Sequence, residues 1–190
     1  MDVEACDKAL AERFIEAHGL TDFVLFVGGI AKVKNPLAFV QVAKMFPDRT
    51  FVMVGSNLTR EKMQEAYGID VPGNIRALGA LPHDLTLDAI AACKALVMTS
   101  HREGLPTVLL EAMAMKKPCV VPDAPWFSDV VQSGKHGLKY QPGSLDELAE
   151  KIEIALDSDS FVGAREQVIK RFSWPVITSA LDKVYLRLLG

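Results

Sequence analysis

The chain has 190 residues, 49% hydrophobic and 24% charged, which suits one globular domain with a sizeable core and is too little for two full domains. A net charge of −3 gives no overall attraction to nucleic acid or anionic lipid, so an anionic ligand has to be met by basic residues placed locally. The three cysteines lack metal-ligand spacing and point to buried thiols in a reducing compartment; neither a signal peptide nor an apolar run of membrane-spanning length is read, and the expected location is cytoplasmic.

In chain order, residues 3–18 carry helical apolar spacing (Leu10, Phe14, Ala17) that stops at Gly19. A buried strand follows at 23–27 and ends at Gly28-Gly29. Asn35-Pro36 starts a helix through Phe46, residues 50–54 form a strand ending at Gly55, and 58–67 are helical. A strand over 74–78 ends at Gly79, and a helix covers 84–93. Residues 95–99 and 118–122 read as short buried strands on either side of a loop and a crossover helix in which Pro106 marks the first turn. Beyond them come a helix near 126–132, a strand at 137–140, and a helix from Ser144 whose Glu147, three residues on, makes a capping box. Two further helices finish the chain. The last carries Val176, Ile177, Ala180, Leu181, Val184, Tyr185 and Leu188 on one face.

Strands alternating with helices imply an α/β fold: a Rossmann-like parallel sheet of about six strands, helices on both faces, in an order near 3-2-1-4-5-6. In such a sheet the ligand crevice opens where the strand order reverses, beyond the carboxyl ends of the first and fourth strands. That brings residues 28–34 to residues 100–103.

The stretch from Ser100 to Pro118 is the richest in chemistry. Glu103 falls in the loop mouth, and the start of the following helix offers free amides and a positive dipole end to an anion. Glu111 falls on that helix among Leu109, Leu110, Ala112 and Met113, where a carboxylate needs polar partners. Lys32 and Lys34 follow the glycine pair, and glycines let backbone approach a phosphate closely. His101 shares the loop, but a lone loop histidine is more often a surface residue, and His83 reads only as a residue near a helix start. Asn57, and the turn Leu78-Gly79-Ala80-Leu81, follow the second and third strands and so are candidates to line a nucleobase pocket.

The string Glu103-Gly-Leu-Pro-x4-Glu111-Ala-Met-Ala, after an apolar strand and before Lys117-Pro118-Cys-Val-Val, resembles the signature of family 4 (group 1) retaining glycosyltransferases of the GT-B fold, in their C-terminal donor-binding domain. The similarity runs from Val24-Leu-Phe-Val-Gly28 to Phe172-Ser-Trp174. The resemblance implies one half of a GT-B fold: residues 1–190 as a single nucleotide-sugar-binding domain, 1–20 a linker helix, 174–190 a crossing helix, and an N-terminal acceptor domain absent from this chain.

By the same resemblance, a UDP- or GDP-sugar gives its sugar to an acceptor hydroxyl without a required metal or other cofactor. Lys34 matches the family's diphosphate lysine, while Gly29 stands where an arginine is expected, which removes a charge-assisted contact worth roughly 1.5–3 kcal/mol. Lys32 and Arg102 are the candidate substitutes. Glu111 is expected to accept from the ribose hydroxyls and Glu103 to face the transferred sugar; the Gly104 and Leu105 amides are expected to face phosphate or sugar oxygens. Gly28, Ser100, Pro106 and Thr107 complete the donor-binding set, and Pro106 departs from the glycine of many members. Lys34 and Glu103 are the residues expected to carry catalysis.

The implied partners are the nucleotide-sugar donor and the acceptor domain. The chain alone is expected to bind donor without turnover, with no role for nucleic acid, peripheral membrane association left to the parent protein, and weak self-association through the last helix. The competing reading is a degenerate domain that binds a nucleotide or a partner without catalysis. A dinucleotide-dependent oxidoreductase fits poorly, because Gly28-Gly29-Ile-Ala-Lys-Val does not make the Gly-x-Gly-x-x-Gly phosphate loop.

Overall fold

The computed structural model describes residues 1–161 and 163–189. Six parallel strands, β1 (Phe23–Val27), β2 (Thr50–Val54), β3 (Ile75–Gly79), β4 (Ala95–Val97), β5 (Cys119–Pro122) and β6 (Leu138–Tyr140), lie in the order β3-β2-β1-β4-β5-β6. This is the expected order, with the reversal between β1 and β4, where Leu25 pairs with Leu96.

Alternate residues of β1 feed opposite faces of the sheet. Phe23 and Leu25 join a core with Phe14 of α2 (Ala11–His18), Ile90 of α5 (His83–Ala92), Leu110 and Met113 of α6 (Thr107–Ala114), Phe127 of α7 (Pro125–Ser128) and Val168 of α9 (Ala164–Phe172). Val24 and Phe26 join the other core, with Phe39 of α3 (Pro36–Ala43), Met63 of α4 (Arg60–Tyr67) and Ile152 of α8 (Leu145–Leu156). Both faces being covered explains why these strands read as apolar runs rather than alternating ones.

The expected single helix over 3–18 is two, α1 (Val3–Asp7) and α2, broken at residues 8–10. The cause is Asp88, fully buried on α5: it accepts from the Leu10 amide at 2.7 Å and from Arg13, and a buried carboxylate needs such donors. Gly19 closes α2 in the left-handed region (φ 64°), as expected of a helix-ending glycine. The helix expected over 126–132 stops at Ser128. Ser144 caps α8 through Glu147 N–H, but the Glu147 carboxylate accepts from the Gln141 amide instead, so only half of the capping box forms.

The final helix, α10 (Trp174–Leu189), buries no residue; Gly190 lies outside the described residues. Leu181, Val184, Leu186 and Leu188 are all exposed. Among the described residues no helix is long and apolar enough to cross a membrane.

Candidate functional site

The floor of the crevice is a seam of strand-end glycines. The Gly28 amide donates to the Val54 carbonyl (2.9 Å), Gly55 to Gly79 (2.7 Å), Gly79 to Leu58 (3.0 Å), and Ile30 to Ser56 (3.2 Å). Gly55 has φ 145°, and a Cβ there would lie 1.5 Å from the Gly28 carbonyl oxygen, so glycine is obligatory at this crossing. Tyr67 reinforces the first loop, donating to the Ile30 carbonyl at 2.6 Å. Gly29 is not in the left-handed region, and a Cβ on it would meet only Ser56, 3.6 Å away, so this position has room for a side chain.

Lys34 ends a single 3₁₀ turn (Lys32–Lys34), and Asn35 then takes αL geometry, with its side chain capping α3. Thr99 ties the lysine's backbone to the end of β4, its hydroxyl donating to the carbonyls of Lys34 (3.0 Å) and Asn35 (2.8 Å). The His101 amide donates to Val33. These bonds bring the two loops together as the switch point requires. The Lys34 ammonium then sits astride the Glu103 carboxylate, 2.8 Å from each oxygen, with the glutamate side chain only 7% exposed. Neither the phosphate-facing lysine nor the open-mouthed glutamate of the sequence reading is free: each holds the other. The side chains of Lys32 and Arg102, the candidate stand-ins for the missing arginine, are exposed and form no ion pair among the described residues.

α6 begins at Thr107, one residue beyond Pro106. Gly104 and Leu105 are exposed at its mouth, and the Thr107 amide turns back to the Leu105 carbonyl (2.9 Å). The first bond within the helix is from the Leu110 amide to Pro106, so the mouth keeps unspent donor capacity ahead of it. One turn on, Glu111 is buried as its neighbours demand, and its polar partner is His83 at the start of α5, with Nε2 2.8 Å from Oε1. His83 was not legible as a site residue, since nothing in the sequence joins position 83 to position 111. Glu111, His83, Leu105, Thr107 and Cys6 line one cavity of about 260 Å³. Burial there, with help from the Glu111 charge, pushes the Cys6 thiol up to about 12, which makes it a packing residue rather than a nucleophile.

Ser100, buried at the end of β4, faces a different cavity on the other side of the same loop. The four nucleobase candidates are not brought into one pocket. Asn57 (φ 60°) lines a cleft with Ile30 and Lys62 beside α4, whereas Leu78 and Leu81 pack on the opposite core, and Gly79 spends both its amide and its carbonyl in the seam. Among the described residues no three His, Cys, Asp or Glu side chains gather as a metal site.

Residues 10–172 match the family described as glycosyl transferases group 1. The chain belongs to this family. It is 28% identical over 163 residues to the alpha-D-kanosaminyltransferase of Streptomyces kanamyceticus, covering 82% of this chain and 41% of that one. To the capsular polysaccharide biosynthesis glycosyltransferase CapM of Staphylococcus aureus it is 25% identical over 174 residues, 86% of this chain and 46% of that one. This group 1 chain thus spans about half the length of the curated relatives it matches.

Among solved structures, HepE of Anabaena, crystallised with UDP and glucose, superposes with a TM-score of 0.83 at 20% identity, over 98% of this chain and 55% of that one. The C-terminal domain of the group 1 protein LpcC from Francisella tularensis superposes with a TM-score of 0.71 at 19% identity, over 92% of this chain and 99% of that one. The fold is therefore that of the group 1 C-terminal domain, one half of a GT-B architecture.

Proposed function

We propose that this chain is the donor-binding half of a retaining glycosyltransferase that moves a sugar from a nucleoside diphosphate to an acceptor hydroxyl. The observation that carries the reading is the convergence of Lys34 and Glu103 on one point between the two switch-point loops, with Glu111 held one turn down the adjacent helix. The crystal complex of HepE with UDP and glucose supports a nucleotide sugar as the ligand class.

In this scheme the incoming diphosphate draws Lys34 away from Glu103, and the released carboxylate turns to the hydroxyls of the transferred sugar. Glu111 accepts from the ribose. As the diphosphate leaves, its growing charge is met by Lys34, the amides at the α6 mouth and the helix dipole, and its β-phosphate oxygen takes the acceptor proton. A resident metal is not part of the scheme. The acceptor domain belongs to the parent protein, whose compartment is cytoplasmic or the cytosolic face of a membrane.

A second reading, a degenerate domain that binds a nucleotide or a partner without transferring sugar, is favoured by one feature, Gly29 in place of the family's arginine. The test is a calorimetric panel of UDP, GDP, ADP and their sugars on this chain, followed by sugar-transfer assays on the full-length parent. Binding with transfer supports the first reading and binding without transfer the second; no binding by any nucleotide would refute the first and leave of the second only a partner-binding domain.

A further inference from the structure

His83 lines the Glu111 cavity without being packed into it. Its side chain is 67% exposed, against 11% for the Glu111 side chain it meets, and a single contact joins them, Nε2 to Oε1 at 2.8 Å. Trimming a side chain so open to water removes little apolar burial. What His83 contributes is therefore that hydrogen bond, and what the bond does to the carboxylate.

Glu111 needs a holder. It leaves α6 among Leu109, Leu110, Ala112 and Met113, all buried and apolar, so none of these neighbouring side chains can donate to it. A glutamate side chain has three rotatable bonds, and a carboxylate that nothing grips spreads its oxygens over several directions. An ionised carboxylate only accepts, so Nε2 carries the hydrogen and donates it to Oε1. Oε2 receives no hydrogen bond among the described residues. It is not sealed off either, since Trp126 Nε1 is the only fully buried side-chain nitrogen or oxygen without a partner there.

The donor is itself well anchored. His83 is the first residue of α5, directly behind Pro82, whose carbonyl takes both the Thr86 amide (2.9 Å) and the Thr86 hydroxyl (3.0 Å). Further along the same helix, the fully buried Asp88 ties α5 to α2 through the Leu10 amide and Arg13. A rigid helix thus fixes the imidazole, the imidazole fixes one oxygen, and the second oxygen is left for a ligand in the cavity of about 260 Å³ that Leu105 and Thr107 also line.

One fixed, unpaired carboxylate oxygen recognises a hydroxyl, and the 2′-hydroxyl is what separates a ribonucleotide from its deoxy counterpart. We propose that His83 is a positioning residue for nucleotide recognition: by holding Oε1 it sets Oε2 of Glu111 to meet the ribose 2′-hydroxyl, and so sets a preference for ribonucleotides over 2′-deoxyribonucleotides. The inference rests on the donor reading above, with Glu111 at the ribose. Glu111 supplies the contact and His83 its direction.

Calorimetric titration of this chain with UDP and 2′-deoxy-UDP, repeated with the guanosine pair, reads that preference directly. A hydrogen bond to a charged acceptor predicts roughly tenfold or more in favour of the ribonucleotide. His83→Phe keeps a ring but no donor. It should bring the ratio to about threefold or less by weakening the ribonucleotide alone, with the melting temperature within about 4 °C of the parent. His83→Gln, whose amide nitrogen can stand in for Nε2, should return the ratio to within about twofold of the parent. In a Glu111→Ala background, where the ratio should be near one, adding His83→Phe should change neither affinity.

The proposal is overturned if the parent shows no ribose preference, if His83→Phe keeps the parent's ratio, or if His83→Gln fails to restore it. It is also overturned if His83→Phe weakens binding further in the Glu111→Ala background, which would make the imidazole a direct contact. In each of these cases the parent still binds nucleotide and the donor reading stands. A parent that binds neither UDP nor GDP removes the donor reading and this inference together.

Discussion

Replacing Glu111 by alanine tests the nucleotide site most directly. Its carboxylate is 11% exposed and lines a cavity of about 260 Å³, and among the described residues its side-chain partner is His83, itself 67% exposed. Oε1 receives His83, which leaves Oε2 and the remaining lone pairs for the two ribose hydroxyls. A hydrogen bond to a charged acceptor contributes about 1.5–3 kcal/mol net, so losing the carboxylate should weaken UDP or GDP roughly 10- to 150-fold. The fold should lose far less. On truncation His83 returns to water, and only one half-solvated hydrogen bond disappears, about 1 kcal/mol, or some 2–4 °C in melting temperature for a chain of this size. Isothermal titration with both diphosphates, alongside circular dichroism and a thermal melt, separates the two effects. Glu111→Gln should fall between parent and alanine variant, since the amide oxygen still accepts. If Glu111→Ala is folded and binds both nucleotides within twofold of the parent, the ribose assignment is wrong.

Gly29→Arg should tighten UDP more than UMP, because the added charge is aimed at the second phosphate and the backbone at this position can take a side chain without strain; an unchanged diphosphate preference at equal melting temperature would refute the placement of this loop. Gly55→Ala should destabilise the domain by more than about 4 kcal/mol or leave it insoluble, since its Cβ would lie 1.5 Å from the Gly28 carbonyl oxygen; a near-normal melt would contradict the seam. The thiols of Cys6 and Cys93 are pushed up to about 12, chiefly by burial, and Cys119 is raised as well, so all three stay protonated at pH 8. An aromatic disulfide reagent should therefore react only after denaturant is added, and one equivalent of fast reaction in the native protein would show a thiol more open than described.

The sheet was legible because the strands are buried on both faces: β1 and β2 have the bounds their apolar runs give, and the alternation with helices leaves few right-handed topologies to choose from. The acid pair was legible because its spacing sits on one loop and one helix. What escaped depends on contacts distant in the chain. The break before α2 exists because of Asp88, 78 residues beyond the Leu10 amide it receives. The grip of Lys34 on Glu103 joins positions 69 apart, and its form depends on how Thr99 pins the lysine's backbone. His83 looks ordinary in the sequence. It matters for the carboxylate across from it, 28 residues on, and that fact is not local.

The Lys34–Glu103 pair also bears on how fast a ligand is captured. With the ammonium astride both carboxylate oxygens, the pair itself presents only a dipole at the crevice mouth, whereas Lys32 and Arg102 on the same two loops are exposed and form no ion pair among the described residues. A dipole's field fades faster with distance than a free charge's, so an approaching dianion is drawn first by Lys32 and Arg102 and meets Lys34 only at close range. Adding salt should accordingly slow the encounter, which depends on the two exposed charges, more than it disturbs the half-buried pair.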